Sequence, residues 1–257
     1  MVGIMAGEKS TRRRSIRLAL TATVVLLAAA VPGHLRASDN AEILRYEVTW
    51  NGSKAGHGDI TTKIDPKQKS VTVIAQAVSD GVLKAVCEIW SRVQSTFTAR
   101  TFKPKTYTFN LRSNILRHEL VEVAFDHATK TVKVDKVLGG ERESHSEKFA
   151  GVYDPVTAAF LLRKQKDFKK PMFVDIYDGK DRVRLFVNFV GVEQVQVKTG
   201  VHPALRLSLR LVKLTGEKEE LAKGQLWISD DQHRIPLLLT SSPVVGTLRF
   251  ELVQAQL

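Results

Sequence analysis

Tyr153-Asp154-Pro155-Val156-Thr157-Ala158-Ala159-Phe160-Leu161-Leu162-Arg163 reads as the one short helix of a chain that is otherwise strand and turn. Asp154 suits the N-cap, because its carboxylate accepts the free amide protons of the first turn. Pro155 fits the first helical position, where a missing N–H costs nothing. From Ala158 to Leu162 the helix is apolar almost all round, which demands burial on more than one side. Arg163, Lys164, Lys166, Lys169 and Lys170 follow, against the single acid Asp167. Cations at a helix C-terminus complement its dipole, and that structural role is preferred to an anion-binding patch. Pro171 is expected to stop the helix, placing it near 155–167.

Around this helix the residues alternate. Leu44, Tyr46, Val48 and Trp50 share one face of a strand, and Asn51-Gly52 turns the chain into a hairpin partner over 56–64. The run Gly56-His57-Gly58-Asp59 lacks the lysine spacing and following helix of a phosphate loop, so it reads as a bulged or close-packed strand start. Further alternating runs cover 70–79, 87–98, 105–113, 119–125 and 131–138, with a brief helical turn expected over 82–86. Cys87, the sole cysteine, falls in such a run as a small buried hydrophobe. Gly139-Gly140 opens a polar stretch to Phe149 that reads as a mobile loop. After the helix come 172–177, a turn at Asp178-Gly179, and 183–189. Leu205, Leu207, Leu209 and Leu211 then make the most regular run, before 224–229, 234–240 and 246–253. About 11 to 13 strands joined by short turns form an antiparallel meander. The expected fold is mainly β: one domain over 38–257, a highly curved antiparallel sheet (half-barrel, spiral or open barrel) wrapped around one central helix. An outer-membrane barrel is disfavoured by the apolar helix, by the modest 7% of aromatic residues and by a C-terminus that ends Gln256-Leu257.

The first forty residues read as a targeting segment. Arg12, Arg13, Arg14 and Arg17 precede fourteen uncharged residues, Leu18 to Val31, and small residues follow. This is the pattern of a secretory signal peptide over 1–37; a membrane anchor, the competing reading, needs roughly 18 apolar residues. No cysteine follows to carry a lipid, so a soluble periplasmic protein without a transmembrane domain is expected. Residues 1–37 hold six Lys and Arg against one acid, so their loss takes the formal charge from +12 to +7. Such a charge favours anionic neighbours, and export disfavours nucleic acid.

Two stretches carry a family resemblance. One is Tyr153-Asp154-Pro155 leading into Phe160-Leu161-Leu162-Arg163. The other is Leu226-Trp227-Ile228-Ser229-Asp230-Asp231 with Arg234-Ile235-Pro236, backed by Gly246-Thr247-Leu248. With Tyr46-Glu47-Val48 and Ala55-Gly56, they resemble the exported bacterial family catalogued as domain of unknown function 3108, over residues 43–254. The resemblance implies an architecture similar to periplasmic lipoprotein carriers, whose curved sheet holds acyl chains against a helix. It implies no reaction and no catalytic residues.

Candidate chemistry is sparse. There is no His-Glu-x-x-His and no Gly-x-Ser-x-Gly, and the six histidines outside the export segment are scattered singly. Asp230, Asp231 and His233 read as turn residues rather than metal ligands. No catalytic residue, metal or cofactor is therefore assigned, and the chain is expected not to be an enzyme. Binding has more support. Phe160 and Leu161 are candidates to line a lipid or amphiphile site between helix and sheet. Trp90 and Trp227 fall on the polar faces of their strands, where large aromatics mark grooves. Arg206, Arg210 and Arg249, opposite their strands' apolar rows, are candidates for an anion-binding outer face. The first expectation is amphiphile binding in envelope assembly or integrity, the second docking on anionic envelope components, and the third hydrolysis of an envelope polymer.

Overall fold

The computed structural model describes residues 41–149, 151–165, 167–216, 219–242 and 246–257. The expected export segment 1–37 and Lys166 lie outside them. The first strands are β1 (Glu42–Trp50), β2 (Ser53–Asp65), β3 (Ser70–Ser79) and, after helix α1 (Gly81–Val86), β4 (Ile89–Thr98). They continue with β5 (Pro104–Ser113), β6 (Glu119–Asp126), β7 (Thr131–Leu138) and β8 (Glu141–Lys148). Helix α2 (Pro155–Lys164) precedes β9 (Met172–Tyr177), β10 (Arg182–Val197) and β11 (Gly200–Lys213). The chain ends with β12 (Glu220–Ser229), β13 (Pro236–Ser242) and β14 (Leu248–Gln256).

All fourteen strands form one antiparallel sheet in the order β8-β7-β6-β5-β4-β3-β2-β1-β14-β13-β12-β11-β10-β9, not closed into a barrel. Two meanders meet where β1 pairs β14, and α2 lies on the connection between the two edges. The inward side carries the buried rows predicted by alternation, such as Leu205, Leu207, Leu209 and Leu211 on β11. Asn51 and Gly52 turn β1 into β2 with positive φ of 48° and 83°, which suits a tight turn between twisted strands. Asp80 caps α1 by accepting from the Gly81 amide at 2.7 Å. Cys87 is buried but belongs to the C-cap of α1, two residues before β4 begins.

The brief helical turn expected over 82–86 is helix α1. Three expectations need correction. The stretch after Gly139-Gly140 is a strand, β8, paired with β7 from Thr131↔Lys148 to Leu138↔Glu141. Helix α2 stops at Lys164, well before Pro171: Gln165 adopts extended backbone, and the chain leaves the axis to bury Phe168. Strand β10 runs on to Val197, eight residues past Phe189. A bulge with Val190 as the extra residue lies between the pairs Phe189↔Leu207 and Gly191↔Arg206, and the alternation is broken there.

That long β10–β11 hairpin curls over the outward side of the sheet. Val195, Val197 and Ala204 are buried in one cluster with Leu238 of β13. Lys198 reaches Glu47 of β1 at 2.6 Å. The two sheet edges overlap. Tyr177, at the end of β9, donates its hydroxyl to Glu147 Oε1 of β8 at 3.0 Å. Glu147 pairs with the buried Val132 and so faces inward. Beyond it, the β9–β10 turn presses on the inward face of β6, where Gly179 lies against Val121 and Val123.

Candidate functional site

Helix α2 sits between two apolar clusters. Val156, Ala159 and Phe160 belong to the cluster built mainly on β1 to β7, and Ala158 and Leu162 to the one built mainly on β9 to β14. The ring of Phe160 meets that of Phe97 on β4 edge-on at 5.0 Å, a favourable aromatic geometry. Phe160 has no exposed surface, whereas Leu161 is half-buried.

Each end of α2 is fixed by a buried charged side chain. At the N-terminus, Asp154 Oδ1 accepts from the amides of Val156 at 2.9 Å and Thr157 at 3.0 Å. Its Oδ2 accepts from Ser95 Oγ of β4 at 2.9 Å and from the Thr157 hydroxyl. Burial pushes the Asp154 carboxyl above its usual range, against the pull of these hydrogen bonds. The expected N-cap is therefore also the tie between helix and sheet.

At the other end Arg163 is buried, not part of a surface cation cluster. Its Nε donates to the carbonyls of His233 at 3.0 Å and Arg234 at 2.8 Å, and its Nη2 to His233 at 2.6 Å. Nη1 and Nη2 face the Glu42 carboxylate of β1 at 3.4 and 3.3 Å. Burial is the largest influence on both partners. It lowers the Arg163 pKa to about 10 and raises that of Glu42, while their mutual attraction works the other way. Beside them the buried Tyr46 hydroxyl donates to the carbonyl of Pro236 at 2.9 Å. The two sequence stretches that carry the family resemblance are therefore in physical contact, with Arg163 as the link.

The turn that receives Arg163 is shaped by its own acids. Asp231 Oδ1 accepts from Ser229 Oγ and from the amides of His233 and Arg234, at 2.8, 2.8 and 3.0 Å. Asp230 pairs with Arg234 at 2.8 Å. Asp231 thus holds backbone, as turn chemistry expects, and Asp230 holds a guanidinium; no cluster of three metal-ligating side chains occurs among the described residues.

The remaining candidates lie on the outward side. Trp90 on β4 carries Arg112 over its ring at 5.1 Å. Trp227 on β12 donates its indole N–H to Glu193 at 2.6 Å and carries Arg206 at 5.3 Å. Trp227 thus braces the curled hairpin. Six strand spacings in the sheet order separate β4 from β12, so the two tryptophans do not share a groove, and neither meets Phe160 or Leu161. Arg206 also pairs with Glu193 at 3.5 Å, and Arg249 with Glu251 at 3.2 Å. Arg210 is exposed and lies over the Phe186 ring at 4.6 Å. Alternation placed these arginines on the right face. It also put Glu251 outward, two residues from Arg249 on the same strand, but missed Glu193 and the rings Phe173 and Phe186, because those neighbours depend on strand register.

No helix among the described residues is long and apolar enough to cross a membrane. A search of the curated proteins finds no match. Among solved structures, the chain is similar to a β-barrel-like protein of domain of unknown function DUF1849 from Brucella abortus. The identity is 11%, the match covers 84% of this chain and 97% of that one, and the TM-score is 0.59, a likeness of fold alone. A looser likeness, at 6% identity and a TM-score of 0.32 over 86% of this chain and 90% of the other, is to the hypothetical lipoprotein YmcC from Escherichia coli. The family model described as "Protein of unknown function (DUF3108)" matches residues 45–253, which include both segments joined by Arg163, and the chain belongs to that family.

Proposed function

We propose that this chain is a non-enzymatic protein of the bacterial envelope, exported to the periplasm with removal of residues 1–37, that docks its outward face on an anionic envelope component. The observation that carries this reading is the stacking of arginines on aromatic rings. Arg184 lies over Phe173 at 4.2 Å, Arg210 over Phe186 at 4.6 Å and Arg206 over Trp227 at 5.3 Å. A guanidinium resting on a ring is held at little further entropic cost; Asp175 engages that of Arg184 and Glu193 that of Arg206, and the exposed Arg210 offers its edge N–H groups to phosphate or carboxylate. Arg249, three strands from β11, extends the same face.

The non-enzymatic reading rests on how the ionisable groups around α2 are used. The buried Asp154, Glu42 and Arg163 are engaged in fixing the helix, and the exposed Asp231 in shaping the turn that meets it. The division of α2 between two clusters, with the overlap of β8 on β9, supports a sheet that curls around the helix as an open spiral. An amphiphile held inside is the less supported reading. Phe160 is packed against Phe97, and of the two helix candidates only Leu161 keeps exposed surface.

The test is retention on envelope fractions from cells that express the full chain, washed at rising salt. Wild-type protein is expected to stay bound at low salt and to elute as salt rises. A variant with Arg206→Gln, Arg210→Glu and Arg249→Glu should elute throughout, with its thermal unfolding checked in parallel. Equal retention of the two proteins at every salt concentration would overturn the proposal.

A further inference from the structure

The outward face of β9 and β10 narrows the chemistry of that partner. Phe173, on edge strand β9, leaves 56% of its surface exposed. Its ring is 6.3 Å from that of Phe186, its cross-strand partner on β10. Val190, the extra residue of the β10 bulge, is 52% exposed. Cations frame this apolar surface: Arg184 over Phe173, Arg210 over Phe186, and Arg206 opposite the bulge. Asp175 answers Arg184 at 2.6 and 2.9 Å, and Glu193 answers Arg206. Arg210 is exposed, and its cross-strand partners are Phe186 and Lys223, neither of them acidic.

The patch therefore presents two rings and, beyond the polar pair Asn188 and Ser208, a valine, with guanidinium forks at its rim. An acidic glycan would engage the arginines and leave Phe173 and Val190 in water. An apolar protein face would cover the rings and strand the charge of Arg210. A bilayer containing anionic phospholipid satisfies both, because aromatic rings settle at headgroup depth while guanidinium groups meet phosphates. The formal charge of +7 that stays after loss of residues 1–37 favours the same surface over a neutral one. We infer that this patch docks the protein on bilayers bearing anionic phospholipid, with Phe173 inserting at the interface and Arg210 contacting phosphate. The inference rests on the envelope-docking reading above and names its partner.

Protein purified from cells expressing the full chain is sedimented with vesicles of phosphatidylcholine alone or mixed with phosphatidylglycerol. Wild-type protein is expected to bind the mixed vesicles in a salt-sensitive way and the neutral ones poorly. Arg210→Glu should weaken binding roughly twentyfold, since one basic charge near such a surface is worth about fivefold and reversal counts twice. Phe173→Ser should weaken it roughly fivefold or more. Both side chains are exposed, so the unfolding midpoints should not move. Lys105→Glu, at an exposed cation on β5, should change binding by less than about twofold. Binding indifferent to lipid charge, or unaltered by Phe173→Ser and Arg210→Glu, would overturn the inference. Failure to bind vesicles with envelope retention still salt-labile would overturn it and leave the docking reading standing. Loss of both would end both.

Discussion

Arg163 on α2 donates through Nη2 to the backbone carbonyl of His233, 2.6 Å away in the turn before β13 and 70 residues along the chain. The same guanidinium faces Glu42 on β1, and the two side chains expose 1% and 0% of their surfaces. Removing one member of a buried pair leaves the other charge unsolvated, at a cost of about 3–5 kcal/mol. Arg163→Met is therefore expected to destabilise the fold by that amount in urea unfolding. Adding Glu42→Leu should restore a large part of the loss. A double variant no more stable than the single one would contradict the pairing.

The pH dependence of stability tests the other end of the helix. Burial lifts the folded-state pKa of Asp154 above its ordinary 3.8. Between those two values the folded chain holds a proton that the unfolded chain has released. The Asp154 contribution to stability is thus greatest at or below the ordinary value, falls as pH rises through the interval and is level above it. Asp154→Asn removes that titration while keeping an oxygen for the Val156 and Thr157 amides. Unfolding free energies measured from pH 4 upward should give a wild-type-minus-variant difference that declines with pH. A difference that rises instead would show the carboxylate to be held below its ordinary pKa.

Gly179 combines a positive φ of 87° with a lack of room. A Cβ there would stand 2.4 Å from Val121 Cγ1 and 2.8 Å from Val123 Cγ2. Gly179→Ala is expected to cost about 1–3 kcal/mol, from backbone strain and overpacking together. Gly179→Asn separates the two causes, since asparagine tolerates the backbone but not the space, and it should be no better than alanine. Thermal unfolding of both variants decides. A neutral Gly179→Asn would show that the turn does not press on β6.

Edge strand β8 reads Glu-Arg-Glu-Ser-His-Ser-Glu-Lys and buries none of its eight residues. Charges on an exposed edge discourage pairing with a second chain. Replacing outward-facing Arg142 and Ser146 by valine should produce species of higher mass that grow with concentration, seen by light scattering after gel filtration. Wild-type protein under the same conditions should show no such growth. Identical profiles would mean that the overlap with β9 already protects this edge.

The same strand shows where the sequence is silent. Alternation reveals strands that bury one face, and β8 buries neither, so its composition reads as loop. The inward rows of the other strands were legible because each has a wet side and a dry one. Arg163 was misread as a surface cation by the company of Lys164 and the basic residues beyond it. Its spacing held the better clue: Val156, Phe160 and Arg163 recur at four and three residues along one buried stripe of α2. Glu42 likewise precedes Leu44, Tyr46 and Val48 in the inward parity of β1. A lone acid and a lone base on two buried faces suggest a pair, but only register and topology bring them together. The arginine and aromatic contacts of the outward face were hidden for the same reason, being cross-strand neighbours such as Arg210 and Phe186.

The pairing of β1 with β14 also governs when this protein can finish folding. Every other strand pairing joins strands consecutive in sequence, so the ladders of each meander can form as soon as its own residues are present. Ile43, by contrast, waits for Gln256 and Tyr46 for Leu252. A chain delivered N-terminus first would therefore hold an unsatisfied β1 until its last strand arrived. That interval is when it would most need a chaperone, and joining the two termini by a short linker should shorten it.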